Sequence, residues 1–227
     1  MKTPRHSRYV LVLLGLFAIW WAVLAIHPLD RSDWMLENAL AVAAIGLLAV
    51  TYRWFRFSRF SYTLLFVFLC LHEIGAHYTY AKVPYQAWLQ ALGWPGVQEL
   101  ADGRNHFDRL AHFSFGLLLS YPLREIFVRV AQARGFWSYY LPLDMTMALS
   151  MIFELIEWGA ATFFGGDLGV AYLGTQGDPW DAQKDMALAS LGGLIAMIVT
   201  ALVNRHQQRD FAREWIESLK VKPARRR

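Results

Sequence analysis

The sequence predicts an all-α polytopic membrane protein: a bundle of six transmembrane helices with both ends in the cytoplasm. Hydrophobic residues make up 56% of the 227 residues and charged residues only 18%, whereas about 25% of an ordinary soluble domain is charged. Several apolar runs also reach the roughly 20 residues that cross a bilayer. Because little sequence separates these runs, residues 1–227 are expected to form a single membrane domain.

The six spans are expected where the apolar runs reach helical length. They lie at about residues 9–26, 35–52, 61–80, 107–130, 138–163 and 180–203. The first run is longer than the apolar core of a usual signal peptide and lacks a clear cleavage motif, so we interpret it as a retained helix. The single cysteine, Cys70, lies within a span, which excludes a disulfide framework and a cysteine-based zinc site.

The distribution of basic residues predicts the orientation. With the N-terminus inside, five of the 22 Lys and Arg residues face outward: Arg31, Lys82, Arg104, Arg109 and Lys184. The others fall in inner loops or in residues 204–227, and this bias favours cytoplasmic N- and C-termini. We interpret residues 204–227 as a basic cytoplasmic tail near anionic lipid and expect no nucleic-acid partner.

Two outer connections have distinctive compositions. Residues 83–103, between the third and fourth spans, are rich in aromatic residues and bounded by prolines, which suits a short interfacial helix. Residues 165–178, between the fifth and sixth spans, are rich in glycine and polar residues. A segment of this kind is expected to fold over a site from the outside.

Ionisable residues occur inside the spans at helical spacing. Each pair shares one helix face, and the pairs are Glu73 with His77, Asp108 with His112, Glu154 with Glu157, and Asp181 with Asp185. At 1.5 Å per residue, five of these side chains lie about 8–13 Å below the outer ends of their helices: Glu73, His112, Glu154, Glu157 and Asp185. Because a charge at the bilayer centre costs about 2.5–3.5 kcal/mol, the carboxylates are expected to share an interior cavity.

The excess of acidic side chains in this cavity predicts that a proton or a metal ion balances their charge. Arg109 and Lys184 are the only permanent cations in the same zone, so either some acids are protonated or a divalent metal such as zinc, iron or manganese is bound. The candidate metal ligands are Glu73, His77, Asp108, His112, Glu154, Asp181 and Asp185. The candidate catalytic residues are Glu73, Asp108, Glu154 and Glu157, with Arg109 as an anion clamp or, equally, as an ion-pair partner.

The chain resembles the YjdF-type bacterial inner-membrane proteins over nearly its whole length. The resemblance rests on Leu29-Asp30-Arg31-x-Asp33-Trp34, Gly75-Ala76-His77-Tyr78-Thr79-Tyr80, Arg104-Asn105-His106-Phe107-Asp108-Arg109, Glu154-x-x-Glu157-Trp158, and Gly174-Thr175-Gln176-Gly177-Asp178-x-Trp180-Asp181. It implies a multi-pass protein of the inner membrane and assigns no activity.

The second half also resembles VanZ-like membrane proteins. That resemblance rests on Asp108, His112, Phe113, Glu154 and Asp185, with Gly192 following. The chain differs from that pattern in having Glu157 where glutamine is usual and Ala189 where asparagine is usual.

Three functions fit these residues. The first is an enzyme or binding site open to the outer leaflet, acting on membrane lipid or a lipid-linked small molecule by hydrolysis or group transfer. The second is a proton-coupled transporter whose acids titrate during a cycle. The third is a non-catalytic scaffold in which the polar residues only pair helices. The sequence does not decide among them and predicts no oligomeric state.

Overall fold

The structure, a computed structural model, describes residues 4–94, 103–166, 169 and 173–219, and all regular secondary structure in these ranges is helical. The helices are α1 (Pro4–Leu24), α2 (Arg31–Thr51), α3 (Arg59–His77), α4 (Tyr85–Ala91), α5 (Phe107–Arg129), α6 (Trp137–Phe164), α7 (Asp181–His206) and α8 (Phe211–Leu219). The predicted all-α fold is confirmed, and the bounds of the long helices differ from the predicted spans by a few residues.

Five helices are long and apolar enough to cross a membrane: α1 from His6, α2, α3, α6 and α7. The exception among the long helices is α5, the least hydrophobic of them. It packs against α3, α6, α7 and α8. Because protein surrounds α5 on several sides, its polar side chains are directed at other helices, and the helix needs less apolar surface than its neighbours.

The contact between α5 and α7 is a close approach of two backbones. Gly116 faces the carbonyl oxygen of Ala189 and lies beside the amide of Gly193, while Gly192 faces the backbone of Phe113. Small residues permit such an approach between membrane helices. The two helices run in the same direction. A step of one turn along α5 therefore corresponds to a step of one turn along α7, so that Gly116 lies against Ala189 and Ser120 lies against Gly193.

At the end of the bundle where α5 finishes, a buried ion pair joins α5 to the start of α8. Arg124 is fully buried and donates two hydrogen bonds to Asp210, at 3.0 and 2.7 Å. Burial opposes ionisation of Asp210, but the hydrogen bonds and charge of Arg124 hold the pKa of Asp210 below its ordinary value. The adjacent Glu125 accepts hydrogen bonds from the Ser58 backbone N–H (2.9 Å) and the Ser61 hydroxyl (2.8 Å) at the start of α3. We call this end the Arg124 end.

The tail predicted at residues 204–227 contains a packed helix in its described part. Residues 204–206 complete α7, and α8 carries Trp215, whose indole N–H donates to the Arg56 carbonyl at 3.1 Å. The ring of Trp215 also contacts that of His6 on α1, with centroids 5.0 Å apart. Apolar residues recur on one face of α8, which is the sequence signal for this docking. Residues 220–227 lie outside the described residues.

A short helix occupies part of the connection predicted to be interfacial. This helix, α4, contains Trp88, and its side chains are not buried. The ring of Trp88 contacts that of Tyr78 at the end of α3, with centroids 5.9 Å apart. Residues 95–102 of the predicted segment lie outside the described residues.

Substitution of Gly116 by alanine is expected to destabilise the bundle. The new methyl group would overlap the Ala189 carbonyl oxygen and lie 2.7 Å from the Gly193 nitrogen, so two backbones must separate, at a cost of about 1–3 kcal/mol. The measurement is the unfolding temperature of detergent-purified protein. The matched control is Gly159→Ala on α6, where nothing lies within 4 Å of the added methyl. That control is expected to be neutral or to stabilise by about 0.5–1 kcal/mol. Equal unfolding temperatures for the two variants would contradict the proposed packing.

Candidate functional site

A groove of about 370 Å³ opens between α2 and α6, with a floor formed by α3 and α5. Most of its lining is apolar, from Leu40 and Leu48 on α2 to Leu149 and Ile156 on α6. Apart from Ser150, the polar lining residues gather where α5 begins, and they are His72, Tyr80, Asp108, His112 and Glu157. We call this the Asp108 end. The groove is therefore polar at one end and apolar along the rest of its length.

Three residues at the Asp108 end form a possible metal site. Asp108, His112 and Asp185 each offer one ligand atom, and these atoms all lie within 4.8 Å of one another. The helix contact described above explains their meeting, because the register that sets Gly116 against Ala189 sets His112 against Asp185 one turn earlier. The predicted convergence of α5 and α7 side chains is thus present in the structure.

A carboxylate from α6 adds to this group. His112 Nε2 lies 3.5 Å from Glu154 Oε1 and 3.6 Å from Asp108 Oδ1. Both separations are longer than the 2.7–3.2 Å of an N–H···O hydrogen bond. The imidazole nitrogen therefore lies among carboxylate oxygens without being bonded to any of them, an arrangement that leaves these atoms available to a cation.

Several buried carboxylate oxygens near the groove have no hydrogen-bond partner among the described residues. They are Glu154 Oε1 and Asp185 Oδ1 beside His112, and Asp33 Oδ1, Glu37 Oε2 and both oxygens of Glu73 on α2 and α3. Glu73 is fully buried. Asn38 lies beside it; one N–H of the Asn38 amide donates to the Trp34 carbonyl and its oxygen accepts from the Trp21 indole, so the second N–H can serve one oxygen of Glu73. Unpartnered carboxylates at this depth require a proton or a cation.

Helix α2 contributes acids that our sequence analysis did not place in the site. Asp33 and Glu37 are 1% and 3% exposed, and Glu37 lies within electrostatic range of Glu73 and Asp108. Their spacing of four residues puts both side chains on one face of the helix and could have identified them. The predicted second span began at residue 35, however, so Asp33 was assigned to a loop.

His72 and Tyr80 form a hydrogen-bonded wall of the groove. Helix α3 ends at His77, and Thr79 and Tyr80 adopt left-handed backbone conformations, with φ of 56° and 48°. This turn brings the Tyr80 ring against Gly75, where an added methyl group would overlap the ring. His72 Nε2 lies 3.3 Å from the Glu37 carbonyl oxygen. A carbonyl only accepts, so Nε2 donates and Nδ1 accepts from the Tyr80 hydroxyl at 2.5 Å.

The glycine-rich connection before α7 is held against the start of α5. Arg104 donates to the Thr175 carbonyl at 2.5 Å and pairs with Asp181. Asn105 and Gln176 exchange two hydrogen bonds, at 2.8 and 3.0 Å. We call residues 174–178 the clasp. The clasp lies against the Asp108 end, in line with the expectation that this connection folds over the site. Residues 167–168 and 170–172 of the connection lie outside the described residues.

Ion pairs secure the clasp at Asp178. Its carboxylate accepts from Arg109 at 2.7 Å and from Lys184 at 2.6 Å. The Lys184 hydrogen bond and the backbone N–H of Trp180 hold the pKa of Asp178 below its ordinary value. Arg109, expected as either an anion clamp or an ion-pair partner, is an ion-pair partner in this structure.

The remaining predicted residues divide into two groups. Glu157 lines the groove, and Asp181 lies next to the possible metal site, paired with Arg104 and 3.7 Å from Arg109. His77 lies apart, because its Nδ1 is 2.7 Å from the Leu24 carbonyl at the end of α1. Within the described residues, the structure therefore brings together acids from α2, α3, α5, α6 and α7, while His77 joins α3 to α1.

Replacement of Asp178 by asparagine is expected to loosen the clasp, because it removes the charge that Arg109 and Lys184 share. Hydrogen exchange of the amides of residues 173–178 should speed up severalfold, while Asp144→Asn on the exposed surface of α6 should leave exchange unchanged. The Asp178 carboxylate contributes stability above its unfolded-state pKa of about 3.9, and this contribution is lost as the pH falls through the lower folded value. Protection of the wild-type clasp should therefore be constant between pH 5 and 8, after correction for intrinsic exchange. Unchanged exchange in Asp178→Asn would contradict the assignment.

Comparison with known proteins places the chain in a family. The family described as "Predicted membrane protein (DUF2238)" matches residues 9–206. The chain is 37% identical over 183 residues to the inner membrane protein YjdF of Escherichia coli (strain K12), a match that covers 80% of this chain and 84% of that protein. No solved structure matches the chain. The predicted family and inner-membrane location are confirmed: the chain belongs to the DUF2238 family of membrane proteins and is a YjdF-like inner-membrane protein.

Proposed function

We propose that the protein is a metal-dependent membrane enzyme that hydrolyses an amphipathic, lipid-like substrate. One observation carries the proposal: the ligand atoms of Asp108, His112 and Asp185 lie within 4.8 Å of one another at the polar end of an otherwise apolar groove. Carboxylate and imidazole ligands suit zinc, iron or manganese. Their two negative charges would balance a divalent ion, which removes part of the cost of burying them.

The groove supports a lipid-like substrate. Its floor on α5 runs from Asp108 to Leu119, a rise of about 16 Å along the helix, and its walls α2 and α6 expose apolar residues. A molecule with a polar head and a single hydrocarbon chain matches a groove that is polar at one end and apolar along the rest. The head would lie at His112 and Glu157, and the chain would lie toward Leu119 and Leu149.

The neighbouring acids suit the chemistry of hydrolysis. A bound divalent metal would polarise the scissile group and lower the pKa of an attacking water. Glu154, beside His112, is positioned to accept a proton from that water. Glu154, once protonated, is then positioned to return that proton to the leaving group.

The two alternative functions fit the geometry less well. A scaffold built from ion pairs would satisfy its carboxylates, but Glu73, Glu154 and Asp185 have unpartnered oxygens. A proton-coupled carrier needs polar groups along the route to the opposite face. The deeper lining of the groove, around Leu48, Leu119 and Leu149, is apolar apart from Ser150.

Purified protein is expected to contain about one divalent metal ion per chain. Elemental analysis by mass spectrometry after purification without chelator is the measurement. His112→Ala and Asp185→Asn should each lower the metal content severalfold, since each removes one of three ligands. Asp144→Asn, on the exposed surface of α6, is the matched control and should retain the wild-type content.

Absence of stoichiometric metal in the wild-type protein, or equal metal content in His112→Ala and Asp144→Asn, would overturn the metal site. Unfolding temperatures measured on the same samples separate loss of a ligand from loss of fold. A folded His112→Ala protein that lacks metal supports the proposal.

We also propose that α5 is a sixth span, that both termini are cytoplasmic and that α4 lies at the outer interface. At 23 residues, α5 is about 34 Å long, sufficient to cross a bilayer core of about 30 Å. Its central position between α3, α6 and α7 explains how a helix with buried polar residues can cross. The basic residues of the inner loops support this orientation.

Cysteine labelling can test the crossing of α5. In a Cys70→Ser background, which removes the single cysteine, Lys82→Cys should react with an impermeant maleimide added to spheroplasts. Arg53→Cys and Arg134→Cys should react only after lysis. All three positions are exposed. Because α4 and α5 are the helices between Lys82 and Arg134 in the described chain, equal labelling of these two positions in spheroplasts would show that α5 does not cross.

A further inference from the structure

The polar end of the groove carries an imbalance of charge that points to the chemistry of its ligand. Seven acids around this end have no Arg or Lys ion pair in the described residues: Asp33, Glu37, Glu73, Asp108, Glu154, Glu157 and Asp185. One divalent ion at Asp108, His112 and Asp185 would offset two negative charges. The acids on α2, α3 and α6 would still need a proton or a further cation.

The cations nearest to the acids of α5, α6 and α7 are already engaged, and Lys82 lies within electrostatic range of Asp33 on α2. Arg104 pairs with Asp181, and Arg109 and Lys184 both pair with Asp178, outside the groove. The groove lining contains no Arg or Lys among the described residues. A phosphate or carboxylate head group would therefore meet excess negative charge without a cation to receive it.

We infer that the groove binds a single-chain amphiphile whose head group is a cationic amine, bound at Glu157 and attracted by Glu37 and Glu73 behind the lining. The inference rests on the proposed function in taking the groove as the substrate site, and it names the class of substrate. Glu157 lines the α6 wall and lies within electrostatic range of Glu37, a buried residue of α2 that is not part of the lining. An ammonium group at Glu157 would therefore also be attracted by Glu37.

Burial strengthens this attraction. Glu157 is 8% exposed and Glu37 is 3% exposed, and neither side chain makes a hydrogen bond or ion pair within the described residues. Glu37 Oε2 is also shielded and has no hydrogen-bond partner in the described residues. In a low-dielectric site, Glu157 can accept a strong, charge-assisted hydrogen bond from an ammonium group, and the buried acids behind the lining add attraction at longer range.

Aromatic groups complete the environment expected for a cation. Tyr80 lines the groove and lies within electrostatic range of Glu37, Glu73 and Glu157. Phe153 and Phe115 also line it, and the ring of Phe153 contacts that of His112 with centroids 5.5 Å apart. Aromatic faces attract ammonium groups, and below them the apolar lining receives the hydrocarbon chain.

A set of ligands with the same chain tests the head group. The probes are dodecylamine, dodecanol and dodecyl phosphate, titrated into full-length protein in phosphatidylcholine nanodiscs after removal of metal with chelator. Apparent Kd comes from the rise in unfolding temperature with ligand concentration. Dodecylamine is expected to bind at least tenfold more tightly than either of the other two probes.

Three variants assign the binding to the groove. Glu157→Gln and Glu37→Gln keep the shape of the side chain and are expected to weaken dodecylamine binding at least tenfold, with little change for dodecanol. Leu149→Trp fills the apolar part of the groove and should weaken both dodecylamine and dodecanol. Asp144→Asn, the matched carboxylate-to-amide control on α6, should bind like the wild type.

Equal or tighter binding of dodecyl phosphate would overturn the inference, as would unchanged dodecylamine affinity in both glutamine variants. Because metal is removed beforehand, this result is independent of the metal analysis. Amine binding in a protein that never acquires metal would refute the enzyme proposal alone. Stoichiometric metal with no preference for the amine would refute this inference alone.

Discussion

The close approach of α5 and α7 is the constraint on which the rest of the structure depends. Gly116 and Gly192 lack the side chains that would hold the two backbones apart, and the parallel register then sets His112 beside Asp185 and Asp108 beside the same group. A wider separation would leave these side chains too far apart to share an ion. The same approach makes α5 a central helix, and its protection by α3, α6 and α7 lets it carry polar residues inside the bundle.

The sequence predicted the parts of the structure that depend on composition and helical period. The apolar runs located the long helices within a few residues, and the four-residue spacing of Asp108 with His112 and of Asp181 with Asp185 placed these residues on inward faces. The sequence did not predict which residues from different helices contact each other. His77 has the same spacing from Glu73, but the end of α3 turns it toward the Leu24 carbonyl, a contact that depends on where α1 ends.

Other features could not be derived because they depend on partners distant in the chain. Arg109 is equally suited to an anion or a carboxylate, and only the fold of the clasp assigns it to Asp178. Asp33 and Glu37 lie at the start of a span, where charged residues normally mark the membrane surface. Their burial follows from the packing of α2 along α3, which brings Glu37 close to Glu73 and His72. Whether the predicted ligands bind a metal stays a prediction.

The packing of α2 has a mechanical consequence for the groove. Helix α2 packs mainly along α3, while the opposite wall, α6, packs against both α5 and α7. The bundle thus combines one compliant wall with one stiff wall. We expect a bulkier ligand to displace α2 toward the surrounding lipid. The contact between α5 and α7, which positions His112, would not change. Tolerance for chain thickness therefore lies with α2, whereas the positions of Asp108, His112 and Asp185 depend on α5 and α7.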